Sequence, residues 1–389
     1  MASASYGLGS PLLSGLSDCP EFLQALQCVF AQSRSQVMRM RGDCLLRYRY
    51  LRDSLAADEE RLHEQMEPLV RGVMKGKNIL LMRTMLNDAG LESEALCHRL
   101  VNGFEITGLL PCSGIFKPQF LPPVTSMQEL WRSARWSQRA FHTAVKPAGS
   151  KVMNDFLDEE SAAEVENGWL SGPLSPDEVR ALHGPCWVMN RRFAIQQGSK
   201  HRLIDDFSEF LTNSTIGPQE KLQLGGVDEV LAFAKTIMAV QAGELKETKD
   251  RNGRTWKFDL HSEWSEVPFE LRGRCLDLKA AYKQLAIRPA DRHAAIIGAY
   301  SSKSAKPQLF QSVSLPFGAT WAVMGFSWAA RSIKSVVMRL LAIFVSNYFD
   351  DYPTLEDSGL AEHSLKCFEA MLDLLGWKVS SSEAKRKGF

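Results

Sequence analysis

The sequence predicts an α+β fold, and three observations carry that reading. Apolar side chains recur at helical spacing through residues 20–100. Beyond about residue 158 the texture changes to short β-like runs separated by turns. One long helical stretch, 320–340, is set among those runs. The 389 residues suffice for two or three domains and at least one sizeable core. With 45% hydrophobic and 23% charged residues, collagen-like, largely disordered and coiled-coil-only chains are excluded.

The elements follow in order. Leu23, Leu26, Phe30, Val37, Met40, Leu45 and Leu51 mark the first helices. Pro68 and the periodic stretch 79–100 predict at least two more, and 103–123 is a Gly/Pro-punctuated connector. Trp131, Arg132, Arg135, Trp136 and Arg139 interleave aromatic and basic side chains. Such a mixture can stack on and neutralise a nucleic-acid strand. It equally fits an amphipathic helix with tryptophan packed and arginine in solvent. The chain then turns acidic at Asp155, Asp158, Glu159 and Glu160, and Gly- and Pro-rich over 168–176. A boundary near 158 divides a mostly helical region, 1–158, from a second domain, 159–389. Strand-like runs in the latter cover 192–196, 202–205, 274–278, 294–300, 308–315 and 341–349. The charged excursion 246–254 reads as a surface loop, and there is no internal repeat.

Charge is balanced, 46 Lys+Arg against 45 Asp+Glu, for a net +1. A nucleic-acid partner must therefore be held by local basic patches and not by a global field. The eight cysteines form no C-x-x-C pair, which argues against a zinc knuckle or a disulfide framework and for a reducing compartment. The N-terminus lacks the basic start and long apolar core of a secretory signal. The strongest apolar run, 336–345, contains Arg339 and is too short for a bilayer. A soluble intracellular protein with no membrane partner is expected.

Chemistry concentrates at Tyr348-Phe349-Asp350-Asp351-Tyr352, which follows the apolar run 341–345. Apolar residues on both sides of an Asp pair predict strand, tight turn and returning strand. Adjacent carboxylates beside a core repel each other, and a divalent cation relieves that repulsion. Alone, such a turn equally fits a solvated loop. Asp277, however, ends a second apolar strand 73 residues earlier. The order is strand with Asp277, hairpin across 301–307, Pro/Gly turn, helix, strand, Asp-Asp. Folded as an antiparallel sheet backed by helices, it brings Asp277 beside Asp350 on adjacent strands.

These motifs resemble the palm of reverse transcriptases, in the texture of retrotransposon-like mobile elements. Asp277 with Ala281-Tyr282 matches the first catalytic motif, Leu315-Pro316-Phe317-Gly318 the second, and Tyr348-Phe349-Asp350-Asp351 the YxDD box. Leu375-Gly376-Trp377, followed by Lys385 at looser spacing, resembles the next motif. Arg202-Leu203-Ile204-Asp205-Asp206-Phe207-Ser208 is similar to the fingers strand that bears a phosphate-binding arginine, with Lys200 or Arg192 as its basic companion. The resemblance covers roughly 160–389.

The resemblance implies right-hand fingers and palm and an RNA-directed DNA polymerase. It acts on an RNA or DNA template with a primer, using dNTPs. Two Mg²⁺ ions about 3.5–4 Å apart, or Mn²⁺, serve a primer 3′ hydroxyl and the leaving pyrophosphate. Asp277 and Asp350 are the implied bridging ligands. Asp351 is a direct or supporting carboxylate, and Leu278 offers its backbone carbonyl. Arg202, assisted by Lys200, clamps the triphosphate; by itself Arg202 equally fits a strand cation paired with Asp205 or Asp206. Tyr282 lies beneath the incoming sugar and excludes a 2′ hydroxyl, or is plain core. Phe317 and Gly318 shape the floor under the nucleotide, although Phe317 also fits a core position. Lys385, Arg386 and Lys387 fit either pyrophosphate contacts or a charged, frayed terminus.

Two departures stand out. The link 211–274 is longer than the family's compact one, and the chain stops just past the fourth palm motif. A missing thumb removes duplex contacts and implies poor processivity. The alternative expectation is a domesticated palm that binds nucleic acid without catalysis.

Overall fold

The computed structural model describes residues 19–380. The terminal cluster Lys385, Arg386 and Lys387 lies outside the described residues. Mixed helices and small sheets give the coarse α+β architecture expected from the sequence. Among the described residues no helix is long and apolar enough to cross a membrane.

Five helices open the described residues: α1 (Pro20–Phe30), α2 (Arg34–Gln65), α3 (Pro68–Met74), α4 (Ile79–Asp88) and α5 (Glu94–Asn102). Ser33 and Gln36 form a capping box that starts α2. Helix α2 is polar overall and buries one narrow stripe, Val37, Arg41, Leu45 and Tyr48, at helical spacing. The connector beyond Asn102 carries a two-residue strand, β1 (Lys117–Pro118), before α6 (Met127–Ala144) and α7 (Lys151–Glu166). Residue 158, the expected boundary, thus falls inside a helix.

Strands β2 (Leu170–Leu174), β3 (Met189–Gln197) and β4 (Lys200–Asp206) follow, with α8 (Pro176–His183) after β2. They join β9 (Ile296–Ser301) and β10 (Lys306–Ser312) in a five-stranded sheet of order β2-β10-β9-β3-β4. Helices cover both faces. From the sheet, Met189, Ile296 and Leu309 pack with Leu130 and Phe141 of α6 on one side. On the other side Arg192 reaches Glu164 of α7.

The link from β4 to β8 (Leu271–Asp277) holds β5 (Glu220–Lys221), α9 (Val227–Gln241), the pair β6 (Glu247–Lys249) and β7 (Thr255–Lys257), and α10 (Glu263–Glu266). The expected loop at 246–254 is therefore a short hairpin. Asp250 holds its turn, accepting from the amides of Asn252 and Arg254 and from Trp256 Nε1.

Helix α11 (Thr320–Leu341) matches the expected helical stretch. The expected strand 341–349 shrinks to β11 (Phe344–Val345), because α11 runs on to Leu341 and ends at Ala342 in the left-handed region. Strand β12 (Asp351–Asp357) and α12 (Ala361–Leu374) follow, and the second sheet has the order β11-β12-β8. One buried apolar cluster joins Phe22, Tyr48 and Met85 of the first helices with Leu276, Phe326, Tyr352 and Phe368. Buried Arg41 stitches the two parts. It donates to the carbonyls of Leu341 and Ala342 at the C-terminal end of α11, to Glu356 Oε1 at 2.8 Å, and to Ser364. It thereby satisfies carbonyls that a helix end leaves orphaned.

Candidate active site at the β8–β12 tip

Strands β8 and β12 run antiparallel with Asp277 directly opposite Asp351, Leu276 opposite Tyr352 and Cys275 opposite Pro353. The Leu276–Tyr352 face is core. Tyr352 donates from Oη to the Ala330 carbonyl at 3.1 Å and meets Phe368 edge-on at 5.4 Å. Side chains alternate along a strand, so Cys275, Asp277, Asp351 and Pro353 share the other face. Cys275 Sγ lies 3.9 Å from Asp351 Oδ1. Directly opposed Cα atoms are about 4.5–5.5 Å apart, which sets both carboxylates within reach of one small cation.

The turn between the strands is tight. The amides of Tyr348 and Asp351 donate to each other's carbonyls at 2.9 and 3.0 Å, closing a two-residue loop, Phe349–Asp350. Phe349 has φ +50°, the sign that primed hairpin turns require. A bulky residue seldom adopts it, and such outliers cluster at functional sites. The Leu278 amide donates to the Asp350 carbonyl at 3.1 Å. On the other side of β8, the Ser380 amide donates to the Asp277 carbonyl at 2.7 Å. The backbone at Asp277 and Leu278 is therefore anchored from both flanks. All three aspartates gather at one end of the sheet, but Asp351 is the residue that stands across from Asp277, and Asp350 occupies the loop.

Tyr282 enters from a short 3₁₀ turn, Ala281–Gln284, reached through Ala280 at φ +47°. Its ring lies 4.8 Å from Phe326 of α11 and 6.0 Å, edge-on, from Phe317. Burial, then the nearby charge of Asp350, pushes its phenol well above the ordinary tyrosine range. Phe317 is 48% exposed, so it is not a core residue. Gly318 has φ +116°, and a Cβ there would collide with the Asp205 carbonyl oxygen. Only glycine fits so close an approach. Asn213 locks the turn: its Nδ2 donates to the Gly318 carbonyl, and its Oδ1 accepts from the Thr320 amide at the start of α11. The second motif is thus pinned against β4, the outer strand of the five-stranded sheet.

Arg202 and Lys200 are exposed on β4 near the tip of the β3–β4 hairpin. Arg202 pairs in register with Ile195, and Lys200 with Gln197. Alternation from Met189 through Arg191, Phe193 and Ile195 sets Lys200 and Arg202 on the α6 side of the sheet. Arg192, offered as the basic companion, does not serve. It points to the opposite side and is buried in a network, bidentate to Asp205 at 2.7 and 2.9 Å and bonded to Glu164 at 2.7 Å. Lys283, next to Tyr282, closes the network on Glu164 at 2.9 Å. Burial raises the Glu164 carboxyl, but the charges of Lys283 and Arg192 outweigh it and hold it below its ordinary value.

Other supporting residues carry no motif. Glu229 of α9 accepts from Lys334 of α11 at 2.8 Å and from Ser346 Oγ, and the Gly225 amide donates to the Asn347 carbonyl beside the aspartate hairpin. Gln284 holds the main chain of Lys279 and Lys378, and Lys77 Nζ donates to Gln284 and to the Gly376 carbonyl. None of these residues carries a pattern that marks a function, so sequence patterning offers no signal for them.

Among the described residues no group of three or more His, Cys, Asp or Glu side chains forms a metal cage by itself. Mg²⁺ does not need one: it keeps waters and substrate phosphates and takes one or two carboxylates from protein. The opposed Asp277 and Asp351, with Asp350 in the adjoining loop, are a hard-oxygen set of that kind. No family model matches the chain, and no curated protein is similar to it.

Proposed function

We propose that this chain is the fingers and palm of an RNA-directed DNA polymerase of a retrotransposon-like element. The observation that carries the reading is the register of β8 and β12. It opposes Asp277 and Asp351 across two strands and sets Asp350 in the loop between β12 and the preceding segment. Like charges directly opposed in a sheet repel, and a divalent cation held between them would relieve that repulsion.

In this reading Asp277, Asp350 and Asp351, with the Leu278 carbonyl, hold the divalent cations. When bound, two Mg²⁺ ions supply activation of the primer 3′ hydroxyl and stabilisation of the leaving pyrophosphate. Arg202 and Lys200 take the triphosphate through charge-assisted hydrogen bonds. Tyr282, braced by Phe326 and Phe317, presents its ring under the sugar and rejects a 2′ hydroxyl. Gly318 lets the turn lie flat against β4, so that the nucleotide floor and the phosphate-binding hairpin keep one spacing.

Extension of a primed RNA template with Mg²⁺ and dNTPs tests the reading. Asp277→Asn and Asp351→Asn are each expected to lower extension by about 10³-fold or more, the scale of losing an electrostatic anchor of the reaction. Extension unaffected by either change refutes the assignment. Tyr282→Ala is expected to admit ribonucleotides. A chain that binds primed template but never extends it would instead be a palm used for binding alone.

A further inference from the structure

We infer that the outer face of α6 is a binding surface for single-stranded RNA, separate from the aspartate site. Buried Leu130, Ala134, Ser137 and Phe141 define one stripe of the helix. At about 100° per residue, Arg132, Arg135, Trp136 and Arg139 fall on the opposite side, within roughly a third of the circumference. All four are exposed, and Trp136 is 56% so. His142 and Lys146 extend the exposed polar face at its C-terminal end.

Three features make this a polyanion surface of a particular kind. First, among the described residues no carboxylate forms an ion pair with Arg132, Arg135 or Arg139. Glu129, about one turn before Arg132, is turned back onto Ser126, accepting from its amide at 2.8 Å and its hydroxyl at 3.0 Å in the helix cap. Second, the surface is rigid. Gln138 donates to the carbonyls of Pro185 and Trp187, and Ser137 Oγ accepts from the Met189 amide, which fastens α6 to the start of β3. Third, Trp136 is held edge-on against buried Phe210 at 5.2 Å, so an aromatic ring is fixed among the cations. Arginines neutralise phosphates, and an exposed ring stacks on an unpaired base, which a duplex does not offer. An acidic protein surface would use the arginines and leave the ring without a role. The face lies on the same side of the five-stranded sheet as Lys200 and Arg202. A strand crossing α6 would run on the side of the sheet that carries the hairpin proposed for the nucleotide. That the strand is RNA rests on the polymerase reading, in which it is the unpaired template.

Fluorescence anisotropy tests the inference on the full chain, with a labelled single-stranded RNA of about 15 nucleotides and without dNTPs or divalent cation. Combined Arg132→Gln, Arg135→Gln and Arg139→Gln should weaken binding at least tenfold and lower the salt slope by about 2, from roughly 0.7 per lost phosphate contact. Trp136→Ala should weaken single-strand binding about tenfold and leave duplex binding unchanged. These residues are exposed, so circular dichroism and melting temperature should match wild type. Unchanged RNA affinity in the triple variant overturns the inference. So does a poly-glutamate peptide bound as tightly and with the same sensitivity to these substitutions. Tighter binding of a DNA strand of the same sequence overturns the assignment to template. The two readings fail separately. RNA binding through α6 without extension sinks the polymerase alone, and extension with an unaffected triple variant sinks this surface alone.

Discussion

Across β3 and β4, Arg192 stands directly opposite Asp205; across β8 and β12, Asp277 stands directly opposite Asp351. Both are cross-strand pairs of charged residues in small sheets, yet their surroundings differ. The Arg192–Asp205 pair is nearly fully buried, 3% exposed at each residue, and Glu164 and Lys283 extend it. It carries opposite charges, each hydrogen-bonded, which is the condition under which buried charge is tolerated. The Asp277–Asp351 pair carries like charges and sits half-buried at the end of its strands, where the chain turns and solvent or a ligand has access. The first arrangement is a clasp that holds α7, the five-stranded sheet and the turn bearing Tyr282 together. The second sets like charges face to face at the end of a sheet, and in the proposed reading divalent cations would sit there. A charged residue in a strand therefore reads differently according to what faces it, and sequence position alone does not reveal which case applies.

This contrast can be broken or sharpened by measurement. The largest stability effect belongs to the clasp: Arg192→Ala leaves buried Asp205 uncompensated and Glu164 with Lys283 alone, and should cost about 3–5 kcal/mol by denaturant unfolding. A cost near zero would show that the network is not buried in solution. Next, Gly318→Ala should destabilise by roughly 1–3 kcal/mol, since the turn must leave either its φ or the Asp205 carbonyl. Primer extension should fall with it, because the second motif then shifts against β4.

Acid is the third probe. The folded Glu164 carboxyl is held below its ordinary value of 4.5. Its contribution is therefore full above that value and is lost as pH falls through the lower folded value. The gap in melting temperature between wild type and Glu164→Gln should be constant near neutrality and shrink below about pH 4.5. A gap that widens in acid reverses the sign and the argument. Smallest is the effect at the site itself: Asp277→Asn removes like-charge repulsion and should stabilise the metal-free chain by about 0.2–1 kcal/mol. Mn²⁺ should raise the melting temperature of wild type more than that of the variant. Equal shifts would remove the reason for opposing two aspartates.

Much of this molecule is readable in one dimension. Helical periodicity located α11 to within a residue or two and marked 20–100 as helical without dividing it into α1 to α5, because a helix that buries a stripe against a core must repeat that stripe every turn. The hairpin β9–β10 and the Phe349–Asp350 turn were legible because tight turns demand particular residues. The identity of the aspartates, Tyr282 and Gly318 was also in the letters. What the letters lack is pairing across distance. Arg192 and Arg202 are both strand arginines ten positions apart, and the register of the β3–β4 hairpin sends one into a buried network and the other to the opposite, exposed side. Arg41 reads as one of many arginines on a polar helix, until α11 and β12 supply its partners.

The sequence by itself determined the local elements, the turns and the set of acidic and aromatic residues, since propensity, periodicity and turn chemistry act over a few residues. Only the tertiary structure decided that Asp351, and not Asp350, faces Asp277, that Gly318 must touch β4, and that Arg192 is structural. Those outcomes depend on strand register and on which surfaces meet, and both are settled by contacts between segments tens to hundreds of residues apart.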